Sequence, residues 1–319
     1  MITLVSCPKP FRDHFAVIQR NALKSWTLLD AKPEIILIGE ETGIEEAATE
    51  FGAHHIRHVE RNEYGTPLVN SVFSQAEKAA ANDLLCYLNT DIILPSPFSD
   101  AVSQLHKIKN KFLGIGYRWN VDINDPIDFD ADWERKLTDY VRKTSPYPRT
   151  AGSDYFIFPR GMWREIPPFA IGRGYWNSWL VYAARAMRVP VIDASPIVKV
   201  IHQNHDYSLP GKAKEIDVWY GSEAARNRKL SGGIRHDFDL KDATYLLKAT
   251  GLEPATERKR RFRLLFTTAI IFSESSPFLL PCLWSINATL RLREIARTML
   301  KGKPHERKMT IWQDYLRFN

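Results

Sequence analysis

Short unbroken apolar runs alternate with stretches of helical periodicity along the first third of the chain. Residues 2–6, 34–38, 55–59 and 84–88 are too short for helices and apolar enough for strands buried on both faces. Between them, Phe15, Ile18, Ala22 and Trp26 recur at helical spacing within residues 15–29. Residues 43–51 form a second helical stretch, closed by Gly52, and residues 66–81 a third, with Pro67 at its first position. The order β-α-β-α-β-α-β predicts an α/β fold: an open, mostly parallel sheet with helices on both faces.

The pattern continues less regularly. Helices are predicted over 98–108, 133–142, 175–188 and 217–230. Strands are predicted over 112–117, 154–158, 189–193 and 197–201, and an acidic loop over 120–132. No internal repeat or low-complexity linker interrupts them. At Glu257 the character changes. Arg258, Lys259, Arg260, Arg261 and Arg263 form a basic cluster, and residues 264–290 follow with Glu274 as their only charge. The predicted organisation is a domain over 1–250 and a basic, apolar helical tail over 255–319.

Charge sharpens that division. Of a formal net charge of +7, residues 255–319 carry 13 Lys/Arg against 5 Asp/Glu, leaving 31 against 32 for the rest. A neutral body with a basic tail points to an anionic partner for the tail, such as a membrane surface, and gives the body no character of a nucleic-acid reader. The apolar stretch is long enough to span a bilayer, but Glu274, its serines, Pro277 and Pro281 suit a surface-lying segment or soluble helices better. Three separated cysteines, Cys7, Cys86 and Cys282, form no disulfide or zinc spacing. The first residues read as a strand rather than a signal peptide. A cytoplasmic protein, peripheral at the inner face of the cell membrane, is the expectation.

The run 83–94 (Asp83-Leu-Leu-Cys-Tyr-Leu-Asn-Thr-Asp-Ile-Ile-Leu94) carries the chemistry. A strand ends in Asn89-Thr90-Asp91, and ligands in open α/β sheets sit beyond the carboxyl ends of strands. A carboxylate there holds a divalent cation, which in turn holds a diphosphate; the plain alternative is a capped turn.

Several blocks in this order resemble nucleotide-sugar glycosyltransferases of the GT-A fold, in particular family 2. They are Gly65-Thr-Pro-Leu-Val-Asn70, Tyr87-Leu-Asn-Thr-Asp-Ile92, Gly152-Ser-Asp-Tyr-Phe-Ile-Phe-Pro-Arg160, Gly172-Arg-Gly-Tyr-Trp-Asn-Ser-Trp179 and His202-Gln-Asn-His-Asp-Tyr207. The resemblance covers about residues 1–235. It implies a nucleotide-sugar site at Glu40, Asn70, Asn89 and Asp91, with Asn89 in place of the first acid of an Asp-x-Asp pair. It implies Mn²⁺ or Mg²⁺ held by Asp91 with His202 or His205, the nitrogen ligand favouring Mn²⁺. Arg173 and Trp176 fall at the acceptor site. The catalytic base belongs near Asn177, which cannot accept the proton; Asp154 is the nearest carboxylate in sequence. Three readings stay open: Asp154 is the base, configuration is retained, or catalysis is impaired.

The sequence therefore predicts a hexosyl-type transfer from a nucleotide-diphosphate sugar to a glycan or lipid-linked glycan hydroxyl, in polysaccharide biosynthesis. Two rivals are a non-catalytic sugar-nucleotide or glycan binder, and a nucleotidyltransferase. The latter needs a Gly-rich phosphate loop after the first strand, which Ser6-Cys7-Pro8-Lys9-Pro10 is not.

Overall fold

A computed structural model describes residues 1–145, 153–205 and 215–274. Gly152, Asp206, Tyr207, Pro277, Pro281 and Cys282, all invoked above, lie outside these residues, as does the apolar stretch beyond Glu274.

The elements run β1 (Thr3–Ser6), α1 (Asp13–Thr27), β2 (Glu34–Ile38), α2 (Ile44–Phe51), β3 (His54–Ile56), α3 (Val69–Ala79) and β4 (Leu84–Leu88). Then come β5 (Ile92–Ile93), α4 (Pro97–Leu105), β6 (Leu113–Ile115), β7 (Arg118–Val121), α5 (Trp133–Thr144) and β8 (Tyr155–Pro159). The rest are α6 (Trp176–Ala186), β9 (Val191–Asp193), β10 (Val200–Gln203), α7 (Glu215–Tyr220), α8 (Ser222–Leu230), β11 (Tyr245–Lys248), β12 (Gly251–Pro254) and α9 (Arg258–Glu274).

Nine strands form one sheet in the order β12-β11-β9-β6-β8-β4-β1-β2-β3. Pairing is parallel except where β8 runs against β4 and β6, and where β12 folds back on β11. The α/β, mostly parallel expectation therefore holds. Leu4, Leu37, Cys86, Leu88 and Ile157 are fully buried in the main core, with Trp26 of α1 packed among them. Burial pushes the Cys86 thiol well above its ordinary range, toward inertness rather than reactivity. Trp26 also donates its indole N–H to the Ile92 carbonyl at 2.8 Å, so its one polar atom is satisfied.

Three differences from the sequence reading bear on the site. The strand read over 84–88 is β4, but Ile92 and Ile93, given no element by sequence, form β5 of a separate sheet, β5-β10-β7. Second, α3 starts at Val69 instead of Thr66. Leu68 donates to Glu60, Val69 to Phe169 and Ile171 to Pro67, and this lateral pairing keeps residues 66–68 extended. Third, residues 118–121, read as leading into a loop, are strand β7, because Val200 to Gln203 pair with Arg118 to Val121.

The chain divides into two compact units, 1–265 and 266–319. Part of the basic cluster belongs to the first. Arg260 pairs with Asp193 at 2.9 Å, and Arg263 forks onto Asp242 through Nε and Nη2 at 2.9 and 2.6 Å. Asp193 and Asp242 are buried, so these two cations balance interior carboxylates. Arg258, Lys259 and Arg261 stay exposed. Among the described residues, no helix is long and apolar enough to cross a membrane.

Candidate metal and anion site

The break between β4 and β5 builds the site. Leaving the large sheet at Leu88, the chain turns through Asn89-Thr90-Asp91 and enters the small sheet at Ile92. There β5 runs antiparallel to β10 with Ile92 opposite His202. Asp91 thus meets the end of β10. His205 Nε2 lies 2.9 Å and His202 Nε2 3.7 Å from Asp91 Oδ2. One ligand atom from each of Asp91, His202 and His205 falls within 4.8 Å of the others.

A polar network fixes this junction from below. Gln203 is fully buried, and its amide donates to the Ile18 and Asp91 carbonyls at 2.7 and 3.2 Å. Its oxygen accepts from Asn21 at 3.0 Å, and Asn21 also accepts from Ile127 N–H. Every polar atom here has a partner, which makes the network rigid rather than costly.

The cluster is unsatisfied at two atoms. Asp91 Oδ1 and His202 Nδ1 are buried without a hydrogen-bond partner. Burial alone raises a carboxyl pKa, but His202, His205 and Lys9 outweigh it and hold Asp91 below the ordinary carboxylate range. His202 is pushed down to about 4, chiefly by burial, against the pull of Asp91. A neutral imidazole and an ionised carboxylate are the forms that ligate a metal. One oxygen and two nitrogen donors fit Mn²⁺ better than Mg²⁺.

The His202 shift has a consequence for stability. Its unfolded pKa of about 6.5 exceeds the folded value, so the unfolded chain binds the extra proton first as pH falls. Stability is therefore full above about pH 6.5 and declines toward pH 4. Metal-free protein is expected to lose about 2 kcal/mol between pH 7 and pH 5 in urea melts. His202→Gln should flatten that window; an unchanged slope would show that His202 does not titrate this way.

Around the cluster stand the other residues singled out by sequence. Asn89 Nδ2 donates to Asp154 Oδ1 at 3.2 Å, bringing β4 and β8 together at the site. Asp154 is also paired with Arg118 of β7, the two side chains being 10% and 9% exposed. Arg173 forks through Nε and Nη2 onto Glu223 of α8 at 2.8 and 2.7 Å, and this pair is similarly buried. Trp176 packs edge-on against Tyr87 and tilted on Phe156, so it forms core wall, not an open sugar platform. Asn177 Oδ1 accepts from Ser178 N–H at 3.1 Å, within its own helix.

Of the two acids after β2, Glu40 is the exposed one, 67% by side chain, while Glu41 is 16% exposed and pairs with Arg61 at 2.8 Å. Glu41 Oε2 and Asn70 Oδ1 are both buried and partnerless. Sequence reasoning chose Glu40 by position. It also passed over Lys9, Arg118 and Glu223, whose roles depend on partners far away in sequence.

No protein-family model matches the chain, and no curated protein matches it in sequence. Among solved structures it is similar to Mycobacterium tuberculosis glucosyl-3-phosphoglycerate synthase in complex with Mn²⁺, UDP and glucosyl-3-phosphoglycerate. Identity there is 15%, over 73% of this chain and 80% of that one, with a TM-score of 0.44. The same synthase with Mg²⁺ and UDP gives 14% identity, 73% and 80% coverage and a TM-score of 0.45. A mannosyltransferase from Pyrobaculum calidifontis in complex with GDP-mannose and Mn²⁺ gives 13% identity, 99% and 84% coverage and a TM-score of 0.42.

Proposed function

We propose that the protein is a metal-dependent glycosyltransferase, moving a sugar from a nucleoside diphosphate to a hydroxyl acceptor. The observation that carries this is the Asp91, His202, His205 cluster beyond the strand ends, with two buried donor atoms left unpaired. Bound there, Mn²⁺ or Mg²⁺ would neutralise charge on the departing diphosphate.

The protein's own groups complete the reading. Asp91 and the two histidines hold the cation. Glu41 and Asn70 offer buried acceptors to the nucleoside, with Glu40 at the rim. Asn89 and Arg118 fix Asp154, both of whose oxygens already accept hydrogen bonds. Asp154 then orients a sugar or acceptor hydroxyl in preference to serving as a free base. Arg173, fixed by Glu223, leaves Nη1 with only a 3.4 Å contact to the Gly172 carbonyl and turns that edge toward an anion.

A thermal-shift series against UDP-, GDP-, CMP- and dTDP-sugars, with and without Mn²⁺, tests the reading. One nucleotide class should stabilise the protein only with metal, by about 2.7 kcal/mol at a hundredfold excess over Kd. No shift with any donor would sink it. Asn177, an amide where the resemblance places a base, favours a second reading: a binder that shifts with donor and metal but never releases free nucleotide.

The acceptor is proposed to be a glycan or lipid-linked glycan at an anionic membrane. Support comes from the exposed Arg258, Lys259 and Arg261 beside Phe262, which is 52% exposed. Sedimentation with anionic but not neutral vesicles is expected, and equal recovery with both would refute the membrane contact.

A further inference from the structure

Lys9 stands in the loop after β1, where no role has been given to it. Its peptide unit is clamped: the Lys9 N–H donates to Gln19 Oε1 at 2.8 Å, and the Lys9 carbonyl accepts from Gln19 Nε2 at 2.9 Å. Gln19 is only 3% exposed, so α1 fixes the loop at this residue. Pro8 and Pro10 on either side stiffen it further.

The side chain leads into the site. Lys9 Nζ lies 4.3 Å from the centroid of the Phe15 ring, whose own centroid is 5.2 Å from that of His205. Asp91 attracts the ammonium and Arg173 repels it. Among the described residues no carboxylate or carbonyl accepts a hydrogen bond from it. Burial pushes its pKa down to about 8. A partly buried ammonium resting only on an aromatic face has three donors to give. Lys9 thus stands beside the ligand cluster and within electrostatic reach of Arg173, a second cation from a distant chain segment. Such a concentration of positive charge matches an oxyanion with more than one charge.

We propose that Lys9 grips the phosphoryl groups of the nucleoside diphosphate beside the metal cluster. The inference rests on the transferase reading and adds a positioning residue from the loop after β1. The ammonium balances Asp91 in the free protein and turns to the diphosphate when the metal takes over Asp91. Its grip is strongest on the two-phosphate product and absent for a nucleoside.

Calorimetric titration of UDP and GDP, and of uridine and guanosine, into wild type, Lys9→Met and Lys9→Arg with Mn²⁺ tests this. For the nucleotide that binds wild type, Lys9→Met should weaken the diphosphate about 10-fold to 100-fold, the worth of a charge-assisted contact. Lys9→Arg should keep most of the affinity. The matching nucleoside should bind both variants as it binds wild type. Mn²⁺ alone should bind Lys9→Met at least as tightly, because a cation facing Asp91 is gone. Equal weakening of nucleoside and diphosphate, or an unchanged diphosphate affinity in Lys9→Met, overturns the inference while leaving the transferase reading intact. A wild type that binds neither diphosphate overturns both.

Discussion

Asp91→Asn is expected to abolish the metal-dependent thermal shift with nucleotide-sugars while leaving the fold in place. The amide keeps an oxygen to accept the His205 hydrogen bond, and the turn is held by backbone bonds that do not involve the side chain: Ile92 N–H to Asn89, and Gln203 N–H to the Asp91 carbonyl. What is lost is the negative charge between two imidazoles. Imidazoles ligate a metal as neutral groups, so without Asp91 no anionic ligand remains in the cluster. Metal contributions to charge stabilisation in the transition state amount to several kcal/mol, and turnover should fall about 10³-fold or more. Asp91→Ala should do the same and also leave His205 Nε2 without its partner. A variant that keeps the Mn²⁺-dependent shift would show that Asp91 is a turn residue and that the cation, if any, is held elsewhere.

The same residue shows what a sequence can and cannot reveal. Asp91 was legible because a carboxylate at the end of a buried apolar run is chemically out of place unless it caps or ligates. The paired histidines were legible for the same reason. Their meeting was not: it follows from β5 leaving the large sheet to pair with β10, a contact across more than a hundred residues. Apolar periodicity located the parallel core because each of those strands is buried on both faces. It missed β11 and β12, a short hairpin whose residues are mostly partly exposed and lack a continuous run. It also set the start of α3 too early, since Pro67 obeys a lateral pairing that local preference does not encode. Trp176 shows the reverse case: helical spacing of aromatics fits core and sugar platform alike, and only its 6% exposure decides for core.

Arg118 is the most consequential residue that the sequence concealed, and Arg118→Met is expected to cost about 3–5 kcal/mol. The guanidinium stands at the start of β7 in the small sheet, and its partner Asp154 immediately precedes β8 in the large one. Their pair ties the two sheets together next to the metal cluster. Both side chains are about nine-tenths buried, so methionine would strand the Asp154 carboxylate with only the 3.2 Å amide contact from Asn89. An uncompensated buried charge, not the loss of attraction, sets the cost. The double variant Arg118→Met, Asp154→Leu removes both charges and should recover most of the stability, because apolar groups of similar size replace a buried pair at little net cost. Urea midpoints of the two variants decide the matter. An Arg118→Met midpoint within about 1 kcal/mol of wild type would mean that water reaches Asp154. Asp154 would then be free enough to act as a base, and Asp154→Asn should lower kcat by about 10²-fold to 10⁴-fold without a matching loss of stability. With the pair buried as described, Asp154→Asn should instead lower stability and turnover together.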